Sequence, residues 1–405
     1  MVQRNVWKRC INWLERKEIL LIIGARQAGK STLMREMVSH VKKFTPHVHF
    51  FSLENPLILS AFDENPENLF NYIPRNGTNR YVFLDEIQYL KDPTRFLKYL
   101  YDEYTPTLKL VVSGSSAFYI DKKFRDSLAG RKRIVELRPF SFSEFLVGRK
   151  QEALAERVRE ESTSPDTGKK SYLVPEKEKL QHLLNEYILY GGYPAVVTEE
   201  DPEEKLFTLK DLHESFLRKD IHEAGVLEEY KFFLLLKIIA SGTGALLNAN
   251  ELANTVGLSG DTVREYIHIM RKSFIIALVT PFHRNLRKEL TKMPKAYLLD
   301  SGLRNIILND FRAPFEKPDR GCLLENLVFI ALKQAGVEKI NYWRTQDKKE
   351  VDFIVDGSRA FEVKWRSEAF NPGKYRRFTE HYPDIPLNPV CWQDDNSPDL
   401  LDFLS

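Results

Sequence analysis

Residues 24–31 read GARQAGKS, an unbroken G-x-x-x-x-G-K-S made of Gly24, Ala25, Arg26, Gln27, Ala28, Gly29, Lys30 and Ser31. These residue types at this spacing suit phosphate binding. Gly24 and Gly29 permit backbone conformations that turn successive N–H groups inward around phosphate oxygens. Lys30 would reach the β- and γ-phosphates of a nucleoside triphosphate, and Ser31, with Thr32 beside it, would offer a hydroxyl to Mg²⁺. The loop follows the apolar run ILLII and opens a helical pattern, TLMREMVSHV, the context that a P-loop requires. A glycine-rich turn that binds nothing is the competing reading, and a second element weighs against it. The run YVFLDEIQ (81–88) ends a strand pattern in two carboxylates. Asp85 would hold Mg²⁺ through water, and Glu86 would polarise the attacking water as a general base.

Weaker candidates accompany this pair. The run LKLVVSG continues into SSAF, so Ser113 and Ser115 stand where a polar side chain senses γ-phosphate or the attacking water; ordinary turn chemistry is the alternative. Arg131 and Arg133 precede another strand pattern, and one of them would serve as an arginine finger, in cis or across an oligomer interface. Solvated basic residues are the alternative.

A second constellation lies near the other end of the chain, in VDFIVDGSRAFEVKW (351–365). Glu362 and Lys364 are two apart on one strand pattern, so they share a face, and Asp352 lies across a hairpin from them. Glu325, on the preceding amphipathic helix pattern, adds a further acid. The D-x(9)-E-x-K spacing is similar to the PD-(D/E)xK nuclease core. In that chemistry Glu325, Asp352 and Glu362 bind one or two Mg²⁺ ions, and Lys364 helps to generate and orient hydroxide. Two other readings stand beside a competent nuclease: the same fold used only for binding, and a structural ion-pair cluster.

The elements that must position these residues divide the chain. Five strand-like runs, at 19–24, 48–54, 81–86, 108–114 and 133–139, alternate with helical patterns in the first 150 residues. Such continuous apolar runs suit a parallel sheet covered by helices, the α/β architecture of a P-loop NTPase. Residues 151–178 are charged and carry Ser, Pro and Gly, and read as a partly helical linker or an exposed insertion. Residues 179–310 are mainly helical. Within them, ANELANTVGLSGDTVREYIHI (249–269) has an apolar helical face, a break at Gly257 and an N-cap at Ser259, the pattern of a helix-turn-helix. Strand patterns at 274–282 and 295–300 follow, which predicts a winged-helix domain. Residues 311–405 return to mixed α/β, expected as a restriction-endonuclease-like domain.

Charge is local rather than global. Sixty Lys and Arg against 57 Asp and Glu leave a net of +3 over 405 residues, so bulk charge names no polyanion partner. Within 271–295, however, Arg271, Lys272, Arg284, Arg287, Lys288, Lys292 and Lys295 face one acid, Glu289. That basic run, with Thr262, Arg264 and His268 on the second helix, would meet DNA phosphates and bases. Winged domains also serve as rigid lids, and basic runs are often simply solvated; these are the alternatives. Cys10, Cys322 and Cys391 have no CxxC spacing, which argues against a zinc ribbon or disulfide framework and suits a reducing compartment. The run 19–23 is too short to span a bilayer, so the expectation is a cytoplasmic protein.

Together GARQAGKSTL, YVFLDEIQ, VVSGSSAF, the LAGR stretch before LRPFSFSEF, YGGYPAVV (190–197), KMPKAYLLDSGL (292–303) and LLENLVF (323–329) resemble a prokaryotic family of AAA+-like ATPases related to the STAND group, in which a C-terminal domain of unknown function follows the ATPase. The resemblance spans nearly the whole chain. It implies ATP rather than GTP, Mg²⁺ as the accompanying ion and hydrolysis as the reaction, and it is compatible with an oligomer. The leading expectation is an ATPase whose nucleotide state controls a DNA-binding winged helix and a nuclease-like domain. A nucleotide-gated switch that recognises a partner such as a protein, without nuclease activity, is the alternative.

Overall fold

The computed structural model describes residues 2–75, 80–114, 128–162, 174–283 and 293–393. The five apolar runs of the first third form β1 (Ile19–Ile23), β2 (Val48–Ser52), β3 (Arg80–Asp85), β4 (Leu108–Gly114) and β5 (Lys132–Glu136). They pair in the order β2-β3-β4-β1-β5, parallel throughout. Parallel neighbours need crossovers. Helices α2 (Lys30–Val41), α3 (Pro56–Glu64) and α4 (Pro93–Tyr104) lie in those connections, and α1 (Trp7–Leu14) precedes β1. Leu33, Met37 and Val41 recur at helical spacing on α2 and pack with Leu20, Ile22, Phe83, Val111 and Val135 of the sheet. Each such buried side chain contributes about 1.5–3 kcal/mol. That burial fixes the strand register, so the carboxyl ends of β1, β3 and β4 emerge along one edge. Residues Met1–Pro139 with Lys272–Phe274 make up this unit.

Phe140–Arg271 and Ile275–Ser405 make up a second unit. Its first part is helical. The helix Glu152–Ser162 buries Leu154, Ala155 and Val158, so the stretch expected as a linker or exposed insertion opens as a packed helix. Helices Ala249–Val256 and Gly260–Lys272 follow the expected pattern. Gly257 ends the first in a left-handed conformation (φ 66), and Ser259 Oγ accepts the Thr262 N–H at 3.0 Å.

The strands of this unit are β6 (Ile276–Pro281), β7 (Lys295–Leu298), β8 (Ile340–Arg344), β9 (Glu350–Val355), β10 (Arg359–Arg366) and β11 (Leu387–Gln393). They form one sheet in the order β11-β10-β9-β8-β6-β7. Thr280 and Pro281 of β6 pair with Asn341 and Tyr342 of β8. The sheet therefore runs across the boundary expected at 310, and the hairpin after the helix pair is its edge. Helix Arg320–Gln334 packs on β7 and β10.

Two glycine-bearing motifs lock the second unit. Asp300 accepts the Gly192 N–H at Oδ2 and the Leu303 N–H at Oδ1, each at 2.8 Å. A Cβ on Gly302 would lie 2.1 Å from the Tyr190 carbonyl oxygen. YGGYP and LLDSGL thus meet backbone to backbone, which is why both carry glycine. The three cysteines are free thiols. Among the described residues, no helix is long and apolar enough to cross a membrane.

Candidate functional site

The loop after β1 is closed by its neighbour strand. Leu137, just past β5, donates its N–H to Ile23 O at 2.7 Å. A Cβ on Gly24 would stand 2.0 Å from the Leu137 carbonyl oxygen, so only glycine fits there. Gln27 (φ 57) and Gly29 (φ 94) take left-handed conformations, the alternation that turns amides toward an anion. Lys30 opens α2 and is buried. Its Nζ donates to the carbonyls of Ala25 at 2.9 Å and Gly24 at 3.2 Å, bridging the loop it would serve. Ser31 is half-buried and Thr32 exposed at the first turn.

One supporting residue carried no sequence signal. Arg4 is buried and donates to Ala28 O at 2.8 Å and Arg138 O at 2.6 Å. A lone arginine near the N-terminus matches no motif, and only the tertiary contact reveals that it buttresses the loop.

Asp85 ends β3, buried, and its Oδ1 accepts the Ser113 hydroxyl. Ser113 Oγ in turn accepts the Glu86 N–H at 3.0 Å. Because β4 lies between β3 and β1, with Ile22 opposite Ser113, this triplet stands beside the phosphate loop. Ser113 is therefore engaged with the two carboxylate-bearing residues, a positioning contact that its expected sensor role did not include. Glu86 is left-handed (φ 60), and its Oε2 accepts the Gln88 side-chain amide. Ser115 lies outside the described residues. For Mg²⁺, the donor set fits: the Ser31 hydroxyl and the buried Asp85 carboxylate are hard oxygen ligands at one sheet edge.

Arg131 stands at the opposite edge. Its carbonyl accepts the Ile19 N–H at 2.7 Å, at the start of β1, and its guanidinium pairs with Asp102 at 2.7 and 3.3 Å. The five residues of β1, about 16 Å of strand, separate it from its own phosphate loop. The expected finger in cis is thereby corrected: from the start of β1, Arg131 is too far from its own phosphate loop to reach a nucleotide bound there. Arg133 pairs with Glu18 at 3.0 Å and lies over Trp13 at the same edge.

In the second unit the structure gathers Glu325, Asp352, Glu362 and Lys364. Asp352 and Glu362 are buried. Asp352 Oδ2 accepts the Val363 N–H at 2.8 Å, and Glu362 Oε1 accepts the Tyr375 hydroxyl at 2.8 Å and the Lys364 ammonium. Burial raises the Glu325 and Glu362 carboxyls, and the charge of Asp352 raises both further. Lys364 is held protonated: burial works against its charge, and Glu362 and Asp352 outweigh it.

The centre of this cluster carried no signal in the sequence. Lys295, expected to face DNA phosphates, is 2% exposed and pairs with Glu325 at 3.1 Å and with Glu350. Arg344 closes on the other Glu350 oxygen. Among the described residues, no three acidic, histidine or cysteine side chains are placed to share a metal ion. The donors expected to hold Mg²⁺ here, Glu325, Asp352 and Glu362, sit instead among the chain's own cations.

Of the other basic residues, Arg284, Arg287, Lys288 and Lys292 lie outside the described residues. Arg264, His268 and Arg271 are exposed at helical spacing on Gly260–Lys272. With Asn248 and Asn250 they line a cleft of about 490 Å³. Thr262 is turned to its own cap, 2.8 Å from Ser259 Oγ.

The parallel sheet, the phosphate loop and the Asp85–Glu86 pair define a class: residues 16–146 form a P-loop ATPase-like domain, and they match the family model of an AAA domain. Residues 181–313 and 320–393 match two further models, each described as a domain of unknown function (DUF8612 and DUF4143). The chain is 27% identical over 349 residues to an uncharacterized protein of Methanocaldococcus jannaschii, covering 84% of this chain and 72% of that one. It is 25% identical over 383 residues to an uncharacterized protein of Haemophilus influenzae, covering 91% and 87%. Among solved structures, the Thermotoga maritima RuvB Holliday junction branch migration motor aligns over 72% of this chain and 95% of its own. That alignment has 17% identity and a TM-score of 0.30.

Proposed function

We propose that the chain is an ATP-binding, Mg²⁺-dependent ATPase whose nucleotide state switches its second unit, a module that contacts DNA. The observation that carries this reading is the convergence, at one sheet edge, of the left-handed loop 24–29, buried Lys30 and the Asp85–Ser113–Glu86 chain. The loop amides and the N-terminus of α2 hold the phosphates. The Lys30 ammonium exchanges its loop carbonyls for β- and γ-phosphate oxygens. Ser31 and Asp85 hold the ion, and bound Mg²⁺ neutralises charge on the phosphates. Glu86 accepts the proton of the attacking water, with Gln88 steering its carboxylate and Ser113 fixing its backbone. Coupling to the second unit is supported by chain order: Leu137, which closes on Gly24, lies three residues before that unit begins at Phe140.

DNA contact is supported by the exposed stripe Arg264, His268 and Arg271 beside two asparagines. The cluster gives nuclease activity little support, because Lys295 and Lys364 already pair with Glu325 and Glu362, two of the three acids that a metal would need.

Calorimetry and turnover assays test the proposal. Lys30→Ala should lose most of its ATP affinity and turnover, whereas Glu86→Gln should bind ATP and hydrolyse it slowly. Wild-type turnover in Lys30→Ala would overturn the site. Duplex binding that weakens with salt and with Arg264→Ala/Arg271→Ala is expected; binding indifferent to both would remove the DNA half and leave a protein-directed switch.

A further inference from the structure

We infer that the cation of the acidic cluster in the second unit is the chain's own Lys295, and that this lysine closes the cluster to divalent metal. The inference uses no nucleotide and stands apart from the ATPase reading.

Lys295 begins β7 at the sheet edge, yet its side chain is almost wholly buried. A lone buried ammonium is costly by several kcal/mol, so its position has to be compensated. Compensation comes from three carboxylates on two elements. Glu325 of helix Arg320–Gln334 lies 3.1 Å from Nζ, Glu350 at the start of β9 pairs with it, and Asp352 on the same strand face adds a third negative charge. Burial alone would strip the proton; these carboxylates hold it well above the ordinary lysine range. The Tyr342 ring lies 5.5 Å below the ammonium.

One oxygen each of Glu325, Asp352 and Glu362 and both oxygens of Glu350 are engaged within the chain, while Glu362 Oε2 is buried without a hydrogen-bond partner. Glu325 Oε1 accepts both Lys295 and the hydroxyl of Tyr297 at 2.6 Å. Tyr297 is two residues along β7 and therefore on the same face. Glu350 receives Lys295 on one oxygen and Arg344 on the other. Glu362 Oε1 holds Lys364 and Tyr375. Four carboxylates (Glu325, Glu350, Asp352, Glu362) thus face three fixed cations (Lys295, Arg344, Lys364). One excess negative charge remains among groups whose burial already disfavours ionised Glu325 and Glu362. A divalent ion would add charge to a site that is already close to neutral, and to be held by Glu325 or Glu350 it would have to displace Lys295.

Mn²⁺ is the probe, titrated without nucleotide into the full chain and followed by calorimetry and thermal unfolding. The wild type should show no Mn²⁺ uptake that Asp352→Asn removes, and no Mn²⁺-dependent rise in unfolding temperature. Lys295→Met keeps the length of the side chain and removes its charge. It should unfold at a lower temperature and bind Mn²⁺ about tenfold or more tighter than the wild type, with stability partly restored by the ion. Wild-type Mn²⁺ binding lost in Asp352→Asn would overturn the inference, as would a folded Lys295→Met with no gain in Mn²⁺ affinity. If Lys295→Met does not fold, the comparison of wild type with Asp352→Asn decides alone.

Discussion

Ser113 shows how much one hydroxyl can organise. It is fully buried, donates to Asp85 and accepts from the Glu86 amide, so it orders the backbone between the positions proposed to bind the metal and to carry the base. Ser113→Ala would leave a half-buried amide and a buried carboxylate short of a partner, a loss of about 1–3 kcal/mol. The expected signature is a split: ATP affinity close to wild type and kcat reduced at least several-fold, read by calorimetry and steady-state turnover. A variant that loses affinity and keeps kcat would mean that Ser113 acts on the nucleotide rather than through Asp85 and Glu86. Lys295 teaches the complementary point, since its position in a basic run suggested an exposed charge and its partners make it an interior one.

At the scale of elements, the phosphate loop depends on strand pairing as well as on its own glycines. Gly24 faces the Leu137 carbonyl at a distance no Cβ could share, so β1, the loop and the exit of β5 form one mechanical piece. Gly24→Ala should force that exit away and destabilise the first unit by about 3 kcal/mol. Urea unfolding with and without ATP measures it, and wild-type stability in the variant would show that the contact relaxes freely. The helix pair 249–272 is the opposite case. Its cap, its glycine break and its apolar face are all local, and each formed where the spacing placed it.

At the scale of the molecule, the second unit is held by a buried acid. Asp300 is 4% exposed, and burial raises its carboxyl to about 6, against the Gly192, Leu303 and Gly302 amides that lower it. The unfolded chain ionises this group near 3.8. Below that value both states are protonated and nothing is lost. Between about pH 4 and pH 6 the folded state retains a proton that the unfolded state has released, so this group's contribution to stability falls as pH rises. The full penalty, on the order of 2–3 kcal/mol, is present above pH 6. Asp300→Asn should flatten that part of the pH profile of the urea midpoint relative to wild type. An unchanged slope across pH 4–6 would assign the drift to other carboxyls.

The phosphate loop, the Asp85–Glu86 strand, the five parallel strands and the helix pair were legible from residue order, because each is set by neighbours within a few positions: glycine where φ must be positive, apolar runs where both faces are buried, serine where a helix begins. The acidic residues Glu325, Asp352 and Glu362 were legible too, by strand and helix periodicity. What they gather around was not. Arg4 under the loop, Arg131 at the far edge of its sheet, the single six-stranded sheet across residue 310 and Lys295 between Glu325 and Glu350 are settled by contacts between segments tens to hundreds of residues apart. Local pattern records which side chains can carry charge, whereas only packing decides which of those charges are buried together and so must neutralise one another.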